Sequence, residues 1–236
     1  MPKFRKLNLT TNFMKQSKLL PVVIAMLAFT CSTEPSATEK PIAEIGSRIS
    51  RETAEALIGK ASAPQRTQKF YVYGRKMLET ILNVEGTEGI LILNSLDEAG
   101  ETKLIFRPAD ENGDVVMNSE TYDDGRVCPP NCSNIGIASV GQVIEKSKAE
   151  ERIRSFRSVN ANSAYSFLFG KNVFKELLAQ KDVAGIAFIN GVKASGQEAL
   201  VLVGVDENGE VMWDKDTYDD GRVCPPNCSD LGNDGI

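Results

Sequence analysis

The sequence predicts an α+β protein built from two tandem repeats, and three observations lead there. Residues 121–133 and 217–229 read TYDDGRVCPPNCS without a single difference. Sliding the 236-residue chain against itself by 96 positions also aligns, without a gap, the residues that precede those copies: 12 of the 51 positions from 70 to 120 are identical. Each unit then carries apolar residues first at helical spacing and afterwards in short strand-like runs, the order of a helix-then-sheet unit.

In the second unit, Ser147-Lys148-Ala149-Glu150 fits a capping box, with Ile153 and Phe156 following at helical spacing. Its counterpart is residues 50–60, with Ala54, Leu57 and Ile58 on one face. Lys146, Lys148, Arg152, Arg154 and Arg157 make the second of these helices locally basic, which reads as a solvated face. A further helix is expected over residues 169–179, where Phe169, Val173, Phe174, Leu177 and Leu178 form one stripe, repeated by Tyr73, Met77, Leu78, Ile81 and Leu82. Such a stripe covers a sheet.

Three strands are expected next in each unit: residues 89–94 (GILILN), 103–109 (KLIFRPA) and 114–118 (DVVMN), echoed by 185–190, 199–205 and 210–214. Asn112-Gly113 and Asn208-Gly209 sit between the second and third and predict a tight hairpin turn. Each repeat is therefore expected to hold about two helices and a three-stranded antiparallel meander. The runs DENGD and DENGE lack the sixth-position glycine and twelfth-position acid of a calcium loop, so the turn reading stands.

The domain plan reads 1–30 as a signal peptide, 31–43 as a polar tether, 44–138 as repeat 1 and 139–236 as repeat 2. Lys3, Arg5, Lys6, Lys15 and Lys18 precede the apolar run LLPVVIAMLAF at 19–29, with no acid before Glu34. Eleven apolar residues are too few to span about 30 Å of hydrocarbon, so the segment reads as an export signal, with Met14 offering a second start. Cys31 closes that run in the manner of a lipobox, so it is the expected lipidation site and the chain is expected to be a lipid-anchored cell-envelope protein; without lipidation it would be secreted. Loss of residues 1–30 removes five of the 27 basic residues and none of the 32 acidic ones, leaving a formal charge of −10. That charge disfavours nucleic acid as a partner and leaves the membrane and an envelope protein.

The chain has no histidine, which excludes Ser-His-Asp and Cys-His nucleophilic sites and imidazole metal sites. No catalytic residues, cofactor or metal are assigned. Cys128 with Cys132, and Cys224 with Cys228, form two C-P-P-N-C elements. An oxidising envelope makes disulfides the default, local or crossed between repeats. A four-cysteine zinc site and thiol-redox or copper chemistry are the alternatives. Tyr122, Asp123, Asp124 and Arg126, with Tyr218, Asp219, Asp220 and Arg222, form either a binding loop or a turn.

The segments FGKNVFKELLAQ (169–180), GIAFI (185–189), LVLVGVDENGE (200–210) and CPPNC (224–228) together resemble a family of short lipoproteins and secreted proteins found among Bacteroidota. The first repeat departs from the pattern, with YGRK for FGKN and FRPAD for VGVD. The resemblance implies address and architecture, and no activity. The expectation is a non-enzymatic binding or structural accessory module, with thiol or metal handling as the competing class.

Overall fold

Strands with both faces apolar need cover on both sides, and the described residues supply it with two sheets and four α-helices. A computed structural model describes residues 40–61, 69–128 and 136–225. In chain order the elements are β1 (Ser47–Ile49), α1 (Arg51–Ala61), β2 (Phe70–Gly74), α2 (Arg75–Leu82), β3 (Gly89–Leu96), β4 (Thr102–Ala109), β5 (Thr121–Asp123) and β6 (Arg126–Cys128). The second half follows with β7 (Gln142–Ile144), α3 (Lys146–Val159), β8 (Ser166–Gly170), α4 (Lys171–Ala179), β9 (Gly185–Val192), β10 (Glu198–Val205), β11 (Thr217–Asp219) and β12 (Arg222–Cys224).

The two sheets run β1-β11-β10-β9-β2-β6 and β12-β8-β3-β4-β5-β7, six strands each. Every pairing is antiparallel. The repeats therefore exchange strands. Strands β3, β4 and β5 of the first half sit beside β8 and β12 of the second, while β9, β10 and β11 sit beside β2 and β6. Gly74 opposite Gly185 and Gly89 opposite Gly170 are the repeat-related ends of those joins. The described parts of the two expected repeats are not separate bodies, because each completes the other's sheet.

Alternation along the strands divides the core. Tyr71, Tyr73, Ile186, Phe188, Leu200 and Leu202 of the first sheet face Ile90, Ile92, Leu104, Phe106, Phe167 and Phe169 of the second. Tyr73, Phe106 and Phe188 close the seam, Phe188 edge-on to the other two and Tyr73 tilted against Phe106, with ring centroids 4.3 to 5.8 Å apart. Pairs of this kind add about 0.5–1.5 kcal/mol beyond the area they bury. Helices α2 and α4 add Leu78, Ile81, Phe174 and Leu177 to the same core. The intervening strand residues point outward: Val72, Ala187, Ile189, Val201 and Val203 lie under Ala54 and Leu57 of α1. Leu91, Leu93, Ile105 and Leu168 lie with Ala149 and Ile153 of α3.

Neither α2 nor α4 has a side-chain cap, and each borrows backbone from the other half. Gly74 N donates to Val140 O and Arg75 N to Ala184 O; Gly170 N donates to Ile45 O and Lys171 N to Glu88 O. Orphan amides at helix starts are thus satisfied across the repeat boundary.

Several expectations need correction. Tyr73 and Phe169 belong to β2 and β8, not to the helices, because their stripe runs straight from strand into helix. Residues 114–118 form no strand; only a bridge between Ala109 and Val115 forms, matched by Val205 and Val211, and the third strand is Thr121–Asp123 instead. Three consecutive antiparallel strands do run side by side in each half, β3-β4-β5 and β9-β10-β11, but the third is not the one expected and the run is one part of a six-stranded sheet shared with the other half. At the Asn-Gly turns, Gly113 and Gly209 take positive φ but Asn112 and Asn208 do not. Asp110 Oδ1 instead accepts from Asn112 N and Asp114 N, and Asp206 Oδ1 does the same for Asn208 and Glu210, which fixes a wider loop. The helix expected from a cap at Ser147 starts at Lys146 after Glu145. Its basic face is solvated at Lys146, Lys148 and Arg154, with Lys148 paired to the exposed Glu98, whereas Arg152 turns in to pair with Asp123 and the Arg157 guanidinium lies 4.3 Å from the Tyr165 ring centroid.

Candidate functional site

The two identical segments are the places where the chain changes sheet. Thr121, Tyr122 and Asp123 pair in one sheet, and Arg126, Val127 and Cys128 pair in the other. Thr217, Tyr218 and Asp219 then Arg222, Val223 and Cys224 make the reverse passage. Asp124 (φ 67°) and Asp220 (φ 60°) take the left-handed turn that aspartate tolerates better than most residues. A Cβ on Gly125 would run into the Tyr73 ring, and one on Gly221 would sit 2.6 Å from the Phe169 ring. Tyr122 and Tyr218 plug into the shared core. Besides Cys128, the seven residues from Thr121 to Val127 thus have a structural role, and a disulfide alone would not have required them.

Asp123 and Asp219 are buried, at 2% and 3% exposure. Around Asp123 the site is built: Tyr73 Oη donates to Asp123 Oδ1 at 3.2 Å and to Leu104 O at 2.6 Å, and Arg152 Nη1 donates to Asp123 Oδ2 at 2.6 Å. Burial pushes the Asp123 carboxyl up from the ordinary value, while the Asp124 amide, Arg152 and Tyr73 pull it back. Burial and the same contacts with Asp123 raise the Tyr73 phenol well above its ordinary value.

Asp219 lacks both partners. The repeat counterpart of Tyr73 is Phe169, without a hydroxyl, and that of Arg152 is Leu57, the region before residue 62 aligning at an offset of 95. Burial again raises the Asp219 carboxyl, opposed by the Asp220 amide and by Lys193, whose Nζ lies 2.8 Å from Asp220 Oδ1. Beside it, Tyr218 Oη donates to Glu176 Oε2 at 2.6 Å, and Arg48 bonds Asp216 at 2.9 Å. Burial and Glu176 push the Tyr218 phenol up to about 12. Arg126 and Arg222 are half-buried on β6 and β12. The eight loop candidates are thus brought together in fours around the two crossings, and the structure does not join the two groups into one site.

Cys128 lies at the outer face of the first sheet and Cys224 at the outer face of the second, with the shared core between them. They cannot pair with each other, since a disulfide needs Cα atoms within about 7 Å. A zinc site using both is excluded on the same ground, and no three His, Cys, Asp or Glu side chains converge among the described residues. Cys31, Cys132 and Cys228 lie outside the described residues. Among those described, no helix is long and apolar enough to cross a membrane.

Two concave features bring repeat counterparts together and were missed in the sequence; one, of about 280 Å3, sets Glu79, Leu82 and Asn83 beside their equivalents Lys175, Leu178 and Ala179. The other, a cleft of about 250 Å3, is lined by Asn94, Asn190, Thr102, Glu198, Ser163 and Phe167, among others, and Asn94/Asn190 and Thr102/Glu198 are equivalent pairs. Asn94 Nδ2 donates to Ala164 O and Glu198 Oε2 accepts from Ala164 N, both at 2.8 Å, so these groups hold the approach to β8. The 96-residue register could have paired the two asparagines; only the strand exchange brings them to one cleft.

No protein-family model matches the chain, no curated protein matches it, and no solved structure matches it.

Proposed function

We propose that this chain is a lipid-anchored cell-envelope protein that acts as a binding or structural accessory module rather than as an enzyme. The carrying observation is that both identical segments are spent on joining the sheets. Their tyrosines sit in the core, Asp123 is held by Arg152 and Tyr73, and Tyr218 by Glu176. Groups occupied in this way fix a shape. We read the two halves as copies of one α+β unit of about 96 residues that came to share strands.

The anchor rests on the basic and apolar leader with Cys31 at its end, and on the resemblance to Bacteroidota lipoproteins. An outer-membrane address, with an envelope protein as partner, follows from that reading. The C-x3-C pairs act within it as local staples, Cys128 with Cys132 and Cys224 with Cys228. The separation of Cys128 from Cys224 favours this over a shared metal or redox centre. A Cys31→Ala change should move the protein from the membrane to the soluble fraction, and unchanged fractionation would remove the anchor. Thiol titration of the unfolded, unreduced mature protein should find no reactive thiol; four thiols would favour the metal or redox class.

A further inference from the structure

The two halves differ on one outer face. In the second half the loop between β10 and β11 carries Trp213, the only tryptophan of the chain, packed on the apolar cluster outside the first sheet. Its ring centroid lies 6.0 Å from the Arg51 guanidinium at the start of α1. The repeat counterparts are Met117 for Trp213, Lys146 for Arg51 and Arg107 for Val203. Met117 is 87% exposed and takes no part in the cluster on its side.

In the first half a hollow of about 970 Å3 opens between the loop that follows β4 and the start of α3. Val115, Met117, Arg107 and Lys146 line it, so the hollow is bordered by the residues that correspond to those around Trp213. Asp110, Asp114, Glu120 and Glu150 also line it, four carboxylates against two cations. An apolar ledge beside excess negative charge suits a ring carried by a basic segment. Lys146, which pairs with Glu150 at 3.8 Å in an exposed contact, stands where Arg51 stands and can turn over that ring.

We propose that this hollow receives an aromatic side chain from a partner polypeptide, flanked by Lys or Arg, in the place that Trp213 holds within the chain on the other side. The proposal rests on the reading of the protein as a binding module and names the partner chemistry for it.

Two measurements on the full mature chain test it. In a Trp213→Phe, Met117→Trp variant the sole tryptophan reports on the hollow. Its acrylamide quenching should fall within about twofold of that of Trp213 in the unaltered protein, whereas quenching as free as that of N-acetyltryptophanamide would overturn the fit. Second, a fluorescein-labelled peptide of sequence Gly-Lys-Trp-Lys-Gly, followed by anisotropy, should bind saturably. It should bind at least tenfold more weakly to Met117→Trp, which fills the hollow, and when its tryptophan is replaced by alanine. Met117→Ser, at an exposed position that leaves the core untouched, should weaken it about fivefold. Absent saturable binding, or binding indifferent to all three changes, would overturn the proposal. Membrane fractionation of these variants should be unchanged, so failure here is separate from failure of the anchor.

Discussion

Arg152 Nη1 donates to Asp123 Oδ2 at 2.6 Å, and this bond ties the helix that opens the second repeat to the strand that ends the meeting of sheets in the first. It is one of two unequal solutions to one problem. Both repeats bury an aspartate where the chain crosses between sheets, and the first bonds it directly to a guanidinium and a phenol, whereas in the second the nearby Lys193 bonds Asp220.

That inequality predicts opposite outcomes for the same substitution. Asp123→Asn leaves the Arg152 charge, itself largely buried, without its carboxylate and should cost about 1–3 kcal/mol at pH 7. Asp219→Asn removes a carboxylate raised chiefly by burial and should be neutral or stabilising at pH 7. Urea unfolding of the two variants checks this directly.

The pH dependence follows in sign. A carboxyl raised in the folded state binds its proton more tightly there than in the unfolded chain, so stability falls as pH rises from the ordinary value of 3.8 through the raised one. Asp219→Asn should remove part of that fall. Unfolding midpoints measured across this window should therefore converge with the unaltered protein at low pH and exceed it above the window.

Gly125→Ala and Gly221→Ala push a methyl into the Tyr73 and Phe169 rings and should each cost about 1–3 kcal/mol. Gly59→Ala, on the open side of α1, meets nothing within 4 Å and should stabilise by about 0.5–1 kcal/mol. Chemical denaturation of the three variants separates crossing strain from a general intolerance of alanine.

Tyr73→Phe makes the first crossing like the second. It removes a buried hydroxyl that donates to Leu104 O and Asp123, and should cost about 0.5–1.5 kcal/mol. Thermal unfolding gives the readout. The reciprocal Phe169→Tyr should not restore the loss, because Leu57 stands where Arg152 would be needed.

The α+β class, the repeat register and the long strands were legible because GILILN and ALVLVGV are continuous apolar runs that only a sheet covered on both faces can bury. The pairing was not legible. Local pattern says that Phe188 faces inward, but nothing in residues 185–192 says that the neighbour is Tyr71 rather than a strand of its own repeat. The crossings hid for a related reason: Thr121-Tyr122-Asp123 and Arg126-Val127-Cys128 are strands of three residues in a polar, glycine-broken stretch, and their pairing depends on distant partners. The helix stripe was extended one turn too far because Tyr73 and Phe169 serve the same core as the helices that follow them. Of the site candidates, the identity of the segments was visible, whereas its cause, a ring closing over a glycine at each change of sheet, needed the third dimension.

Strand exchange between the repeats is the central claim, and cutting the chain between them tests it most directly. A protease site inserted between β6 and β7 in the sequence would be used to cut the chain, and the product examined without denaturant under reducing conditions. The two halves should stay together as one species and unfold in a single transition, since each holds strands of the other's sheet. Halves that separate in native buffer and stay folded alone would contradict the account.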